Sequence, residues 1–196
     1  MRALVVYAHP VPESFGAAVR DTVVAALGEA GHDVRLVDLN AIGFNPVMSA
    51  DERRHHFDQG VNEVPVADQI EHIKWCEMLV FVYPTWWYGL PAILKGWLDR
   101  VWVPHVAFLM PAHEGQNIRP AMQHIRRIVV VTTCGANWWL SKWVGEPGRR
   151  TLLRGIRTLA HPLCKTLYLA HYKMDSSTPE SRARYLTKVR KRLARL

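Results

Sequence analysis

The run Met78-Leu79-Val80-Phe81-Val82 is continuously apolar and rich in β-formers. A strand with one wet face alternates polar and apolar residues. One that does not alternate is covered on both faces, as in a parallel sheet packed between helices. Directly after it comes Tyr83-Pro84-Thr85-Trp86-Trp87-Tyr88-Gly89-Leu90-Pro91, and Pro91 is well placed to open a helix from Ala92 to Val103. Open α/β sheets bind ligands at the carboxyl ends of their strands. An aromatic-walled, glycine-hinged loop at that place suits a flat, partly apolar ring. Taken alone, Trp86, Trp87 and Tyr88 equally suit core or interface packing.

The rest of the chain alternates in the same manner. Leu4 to Ala8 reads as a strand and Ser14 to Ala30 as a helix, with Ser14 as N-cap and Gly31 as its stop. Val34 to Leu39 is a second strand. Residues 40–65 are polar and poorly periodic, with a short helix near Ala50–Phe57. Val66 to Trp75 is helical, and residues 104–123 form an irregular excursion. Arg127 to Thr132 is the fourth strand, Pro147 to Ala160 a helix, Lys165 to Ala170 the fifth strand and Pro179 to Arg195 the closing helix. Five strands alternating with helices predict a doubly wound parallel sheet. With 196 residues and no repeat or linker, the expectation is one domain over residues 1–196.

Three strand ends carry chemical character. The first, Tyr7-Ala8-His9-Pro10 through Ser14-Phe15-Gly16, leads into a helix N-terminus. Free N–H groups there, with the Ser14 hydroxyl and the His9 imidazole, point to an anion site suited to phosphate. Ser14 also has the plainer role of N-cap. Neither the glycine-rich dinucleotide fingerprint nor a lysine-bearing P-loop is present. The second end is the aromatic loop. The third is Thr132-Thr133-Cys134-Gly135-Ala136-Asn137-Trp138-Trp139, whose hydroxyls and N–H groups suit a heteroaromatic edge. Seven of the eight tryptophans fall between Trp86 and Trp143, so aromatic surface concentrates on these two loops.

Composition narrows the classes. Hydrophobic content of 49% and charged content of 21% are globular values. No apolar run approaches the roughly 18 residues that cross a bilayer, and the N-terminus lacks a signal-peptide pattern. Cys76, Cys134 and Cys164 are scattered and odd in number, which argues against a disulfide framework and for a reducing cytoplasm. His55 and His56 are adjacent and cannot share a helical face, so no metal site is expected. No Gly-x-Ser-x-Gly elbow occurs, and Cys134 has no sequence-adjacent base. The net charge of +8 sits largely at Arg149–Arg157 and in the last helix. Leu186, Val189, Leu193 and Leu196 recur there at helical spacing, so that segment is amphipathic with a solvated basic face. With charge but no recognition motif, nucleic-acid binding ranks last.

Together the three loops resemble the flavodoxin-like NAD(P)H:quinone oxidoreductase family, which includes quinone reductases and ancillary reductase subunits of potassium-efflux systems. The resemblance runs through almost the whole chain: Tyr7-Ala8-His9-Pro10 with Ser14-Phe15; Asp38-Leu39 with Phe44-Asn45-Pro46-Val47; Tyr83-Pro84; Trp87 through Val101, where Gly89-x-Pro91-Ala92-x-Leu94-Lys95-Gly96-Trp97 is its most specific part; and Thr132-Thr133-x-Gly135. It implies a flavodoxin-like three-layer α/β sandwich with a five-stranded parallel sheet of order 2-1-3-4-5, forming a homodimer with the active site at the subunit interface. It implies that His9, Ser14 and Phe15 bind flavin phosphates, with Gly16 next to them in the cofactor-binding set, that Pro84, Thr85, Trp86, Trp87 and Tyr88 line the isoalloxazine, and that Thr132, Thr133 and Gly135 hold its other edge. The implied reaction takes hydride from NAD(P)H through flavin N5 to a quinone or similar small acceptor, with Trp86, Trp87 and Trp138 as pocket walls. FAD is the expected cofactor from the Phe44-Asn45-Pro46 insertion, with FMN the alternative. The chain departs from the family pattern at Gly16, where an asparagine is common, and at Cys134, where a glycine is usual. Trp138 and Val144 stand where some members carry a tyrosine and a histidine that stabilise charge on the reduced flavin. A second reading, a regulatory subunit docked on a membrane potassium-efflux transporter, takes its motive from the basic helices.

Overall fold

The computed structural model describes residues 1–111, 113 and 115–196. Its main sheet contains β1 (Arg2–Tyr7), β2 (Asp33–Asp38), β3 (Met78–Thr85), β6 (Arg127–Cys134) and β7 (Lys165–His171), all parallel, in the order β2-β1-β3-β6-β7. Counted within the sheet this is the order 2-1-3-4-5. Between them run α1 (Phe15–Glu29), α2 (Ala50–Arg54), α3 (Ala67–Trp75), α4 (Ala92–Val101), α5 (Trp138–Val144), α6 (Pro147–Arg150) and α7 (Pro179–Leu193). Strands β4 (Phe108–Leu109) and β5 (Arg119–Pro120) pair as a short antiparallel ribbon inside the excursion read as irregular. Among the described residues no helix is long and apolar enough to cross a membrane.

Period-two alternation along the buried strands sends side chains to two separate cores. Leu4, Val6, Leu79, Phe81 and Val130 face α3 and α4, where Trp97 is fully buried and donates Nε1–H to Gln69 Oε1 at 3.0 Å. Ala3, Val5, Val80, Val129 and Val131 face Val19, Val23 and Leu27 of α1 and Tyr185, Val189 and Leu193 of α7. The basic closing helix is thus anchored by its apolar stripe. Tyr185 adds a polar tie: its buried hydroxyl lies 3.0 Å from both Thr132 O and Leu169 O, joining α7 to β6 and β7. Tyr185→Phe removes the hydroxyl and with it this tie. It is expected to cost about 1–2 kcal/mol, read as a melting temperature lower by about 2–8 °C.

Pro84 sits inside β3, past the point where β1 stops pairing with it. Tyr7 is opposite Val82, so by Pro84 only β6 lies alongside and the missing N–H faces an open edge. The strand therefore continues to Thr85, past the apolar run and into the aromatic segment. The helix read over Pro147–Ala160 is broken up: α6 passes into a π turn at Thr151–Gly155 and a 3-10 turn at Ile156–Leu159. Leu152 is fully buried there, and Met122 N–H donates to Leu159 O, tying the end of this segment to the core rather than letting a straight helix continue.

Candidate functional site

The strand order reverses between β1 and β3, and this switch point is where an open α/β sheet leaves a crevice. A cleft of about 510 Å³ lies there. The β1 loop supplies His9; β3 and its loop supply Pro84, Thr85, Trp86, Trp87 and Tyr88; the β6 end supplies Thr133, Cys134, Gly135 and Ala136. Ser141 of α5 and Met174 and Asp175 of the β7–α7 loop complete it.

The aromatic wall is a tight turn. Gly89 N–H donates to Trp86 O at 2.9 Å, and the two central residues, Trp87 and Tyr88, have φ of 48° and 61°. Positive φ at both central positions is the type I′ pattern, normally filled by Asn-Gly. Holding two bulky residues in it costs about 1–2 kcal/mol each, and such strain persists where surrounding structure over-determines it, most often at functional sites. The hinge is therefore not Gly89, which has no positive φ and where a Cβ would meet only Trp86 O and Trp87 O, at an ordinary 3.8 Å. Trp87 is 95% exposed, and among the described residues the N–H groups of Trp87 and Tyr88 have no acceptor.

At the other end, α1 begins beside His9. Ser14 caps it, accepting from Ala17 N–H at 3.2 Å, and the Phe15 and Gly16 N–H groups have no acceptor among the described residues. Val11 N–H donates to His9 Nδ1 at 3.0 Å, which leaves the proton of the neutral ring on Nε2. Burial holds the His9 imidazole below its ordinary value, so it acts as a neutral donor. A Cβ on Gly16 would stand 3.2 Å from His9 Cδ2 and 3.3 Å from Ser14 Oγ. The glycine keeps this concavity open. His9 also reaches the aromatic wall, its ring 6.3 Å from Trp86.

The third edge is tied from beneath. Cys134 Sγ donates to Thr85 Oγ1 at 3.3 Å, Thr85 Oγ1 lies 2.9 Å from Thr132 Oγ1, and Thr132 Oγ1 donates to Tyr83 O at 2.7 Å. Each hydroxyl has one proton, so this chain runs in one direction only. Thr132 is buried with its hydroxyl committed, outside the cleft lining. Burial pushes the Cys134 thiol up, which leaves it a small packed residue rather than a nucleophile.

Residues 1–195 match the family described as flavodoxin-like fold. The chain belongs to that family. It is 36% identical over 102 residues, 52% of this chain and 50% of the other, to an "Uncharacterized NAD(P)H oxidoreductase" of Haemophilus influenzae. It is 26% identical over 211 residues, 98% of this chain and 76% of the other, to the "NAD(P)H dehydrogenase [quinone] 1" of Rattus norvegicus. The solved structure of Smu.1420 from Streptococcus mutans UA159 matches with a TM-score of 0.85 at 26% identity, covering 100% of both chains. The chain spans about half the length of the first curated relatives it matches.

On this flavodoxin-like frame, Pro84–Tyr88, Thr133 and Gly135 meet His9 in one cleft, with Ser14 and Gly16 adjoining through His9. Phe15 turns away, edge-on to His171 at 5.7 Å. Trp138 does not line the cleft; it stacks edge-on with Trp139 at 4.8 Å and is 46% exposed. The residues missed by sequence reasoning are Ser141, Met174 and Asp175. For Ser141 a signal existed: Asn137 caps α5 by accepting from Leu140 N–H at 2.8 Å, and Gly145 ends it at φ 91°. An Asn and a Gly with seven residues between them bracket a short helix.

Proposed function

We propose that this protein is a flavin-dependent NAD(P)H oxidoreductase that reduces a quinone or similar small acceptor, working as one domain over residues 1–196 and as a homodimer. One observation carries the reading: a strained aromatic turn opens onto the switch-point cleft, and a donor-rich helix N-terminus adjoins that cleft through His9. The donor set fits a phosphorylated flavin. The names of the Haemophilus influenzae and Rattus norvegicus relatives support the same class.

The Phe15 and Gly16 N–H groups, the Ser14 hydroxyl and His9 Nε2–H would hold phosphate oxygens, drawing on the positive end of the α1 dipole. Trp86, Trp87 and Tyr88 would flank the ring, and the free Trp87 and Tyr88 N–H groups would donate to its polar edge and stabilise negative charge there. Thr133 and Gly135 would face the other edge. Bound flavin supplies the chemistry of accepting hydride from NAD(P)H and passing electrons on. The chain's own part is alignment, exclusion of water and electrostatic support; the lining histidine and carboxylate, His9 and Asp175, are not hydrogen-bonded to each other among the described residues. FAD is the first candidate and FMN the alternative. A second copy seated over Trp87, Trp139 and Trp143, each at least 77% exposed, would remove that apolar surface from water.

The test is acid release of the bound flavin with chromatographic identification, followed by anaerobic titration with NADH and NADPH. The expected result is a yellow protein bleached by a reduced nicotinamide. A colourless protein that leaves FAD and FMN fluorescence unquenched would sink the reading.

A further inference from the structure

Behind α5 lies a second concavity, of about 340 Å³, whose lining shares no residue with the redox cleft. Its walls carry Lys142, Arg149, Arg150, Arg154, Arg157 and Thr166, against a single carboxylate, Glu146. That carboxylate is already spent. Its Oε2 accepts from Lys142 at 2.6 Å and Arg149 at 2.7 Å, and its Oε1 from Tyr172 at 2.7 Å. Arg150, Arg154 and Arg157 have no carboxylate partner among the described residues. The basic charge is concentrated in this part of the chain: residues 141–196 hold fourteen Lys and Arg against three Asp and Glu, whereas residues 1–140 hold eleven against fourteen. Three unpaired guanidiniums around one groove repel each other, and an anion there relieves that cost.

The cationic heads are also placed rather than free. A Cβ on Gly145 would stand 3.2 Å from Arg150 Cζ, so the glycine lets that guanidinium fold against the backbone. Arg157 Nε donates to Cys164 O at 2.9 Å, leaving its terminal nitrogens for another acceptor. Arg149 lies 4.8 Å over the Tyr168 ring. Glu146 itself is held at φ 47° and ψ 62°, a left-handed conformation that costs a non-glycine residue about 1–2 kcal/mol. Arg154 projects from the π turn, a distortion frequent at functional sites. Preorganised donors lose less entropy when they bind.

We propose that this groove is a phosphate-binding site in which Arg150, Arg154 and Arg157 engage phosphate oxygens through their guanidinium forks, with the Thr166 hydroxyl as a further donor. Planar forks match phosphate bidentately, which an ammonium cannot do. The phosphate is either the 2′-phosphate of NADPH, a case resting on the function proposed above, or part of a separate small polyphosphate.

The experiment is calorimetric titration of the whole protein with inorganic pyrophosphate, repeated on Arg150→Ala/Arg154→Ala and on Arg150→Lys/Arg154→Lys. Both arginines are exposed and unpaired, so circular dichroism is expected to show the folded state intact. Wild type is expected to bind saturably, more weakly as salt screens the site. The alanine pair should lose at least about tenfold in affinity, and the lysine pair an intermediate amount. Saturable binding missing from wild type, or equal binding by wild type and the alanine pair, overturns the site. Steady-state kinetics then names the source. A KM rise of about tenfold for NADPH with none for NADH assigns the co-substrate; unchanged KM values with lost pyrophosphate binding assign a separate ligand. Calorimetry needs no turnover, so failure of the oxidoreductase reading leaves the binding result standing.

Discussion

Replacing Gly96 by alanine is expected to destabilise this protein by about 2–3 kcal/mol, against the usual sense of that substitution in a helix. In an open helix Gly→Ala stabilises by about 0.5–1 kcal/mol, because glycine loses more backbone freedom on folding. Gly96 is different because α4 touches backbone there. A Cβ would stand 2.2 Å from Pro46 O, 2.5 Å from Pro46 Cβ and 2.6 Å from Pro46 Cα, none of them the end of a flexible side chain. Either α4 or the segment around Pro46 must shift, and that segment is pinned. Arg100 donates from Nε to Glu52 Oε1 at 2.8 Å and from Nη1 to Asn45 O, and lies 5.3 Å over the Phe44 ring. The Arg100–Glu52 pair is largely buried, so separating it leaves charge poorly solvated. The check is paired thermal melts of Gly96→Ala and Gly28→Ala. Gly28 lies in α1 with nothing within 4 Å of a built Cβ, so its alanine variant should melt higher. The Gly96 variant should melt lower by about 4–12 °C. A Gly96→Ala melt at or above wild type would show that the Pro46 segment yields to the methyl without cost.

The same contact explains why the Lys95-Gly96-Trp97 segment is legible as a motif. Trp97 fills the core between α4 and the sheet while Gly96, one position round the helix, admits the Phe44–Pro46 segment. Much of the fold was readable in this way, because uninterrupted apolar strands such as Met78–Val82 and capped helices such as that behind Ser14 express burial and capping in local composition. What local composition does not express is where two distant loops meet. Asp175 and Met174 enter the cleft because β7 lies beside β6, not because of anything in their own surroundings. The opposite failure is Trp138, whose ring packs on Trp139 once the chain turns into α5. At Trp87 and Tyr88 propensity points the wrong way altogether: neither residue favours positive φ, and the turn is imposed by the Trp86–Gly89 bridge at the end of β3. Gly16, a departure from the family pattern by sequence, is in the structure the residue that keeps His9 and Ser14 open to a ligand.

Gly135→Ala is expected to weaken flavin binding at least about tenfold while leaving the melting temperature of the flavin-free protein almost unchanged. Gly135 is exposed and has no positive φ, so its role is space rather than backbone freedom. A Cβ there would meet Asp175 Oδ2 at 2.7 Å, with Cγ at 3.5 Å. Asp175 is itself exposed and its carboxylate end can swing, so folding should lose no more than about 0.5 kcal/mol. Both residues line the cleft, however, and the added methyl and a displaced negative charge would then share the edge proposed to face the ring. Fluorescence quenching of FAD and FMN measures the affinity, and a melt of the same sample separates binding from folding. The double variant Gly135→Ala/Asp175→Ala distinguishes the two causes. If the displaced carboxylate is the obstacle, removing it should restore most of the affinity, a coupling that a double-mutant cycle reads directly. If the methyl alone is the obstacle, the double variant should bind as poorly as the single one. Wild-type affinity in Gly135→Ala would mean that flavin does not approach this edge, and the cofactor would have to be sought on the His9 and Trp86 side of the cleft alone.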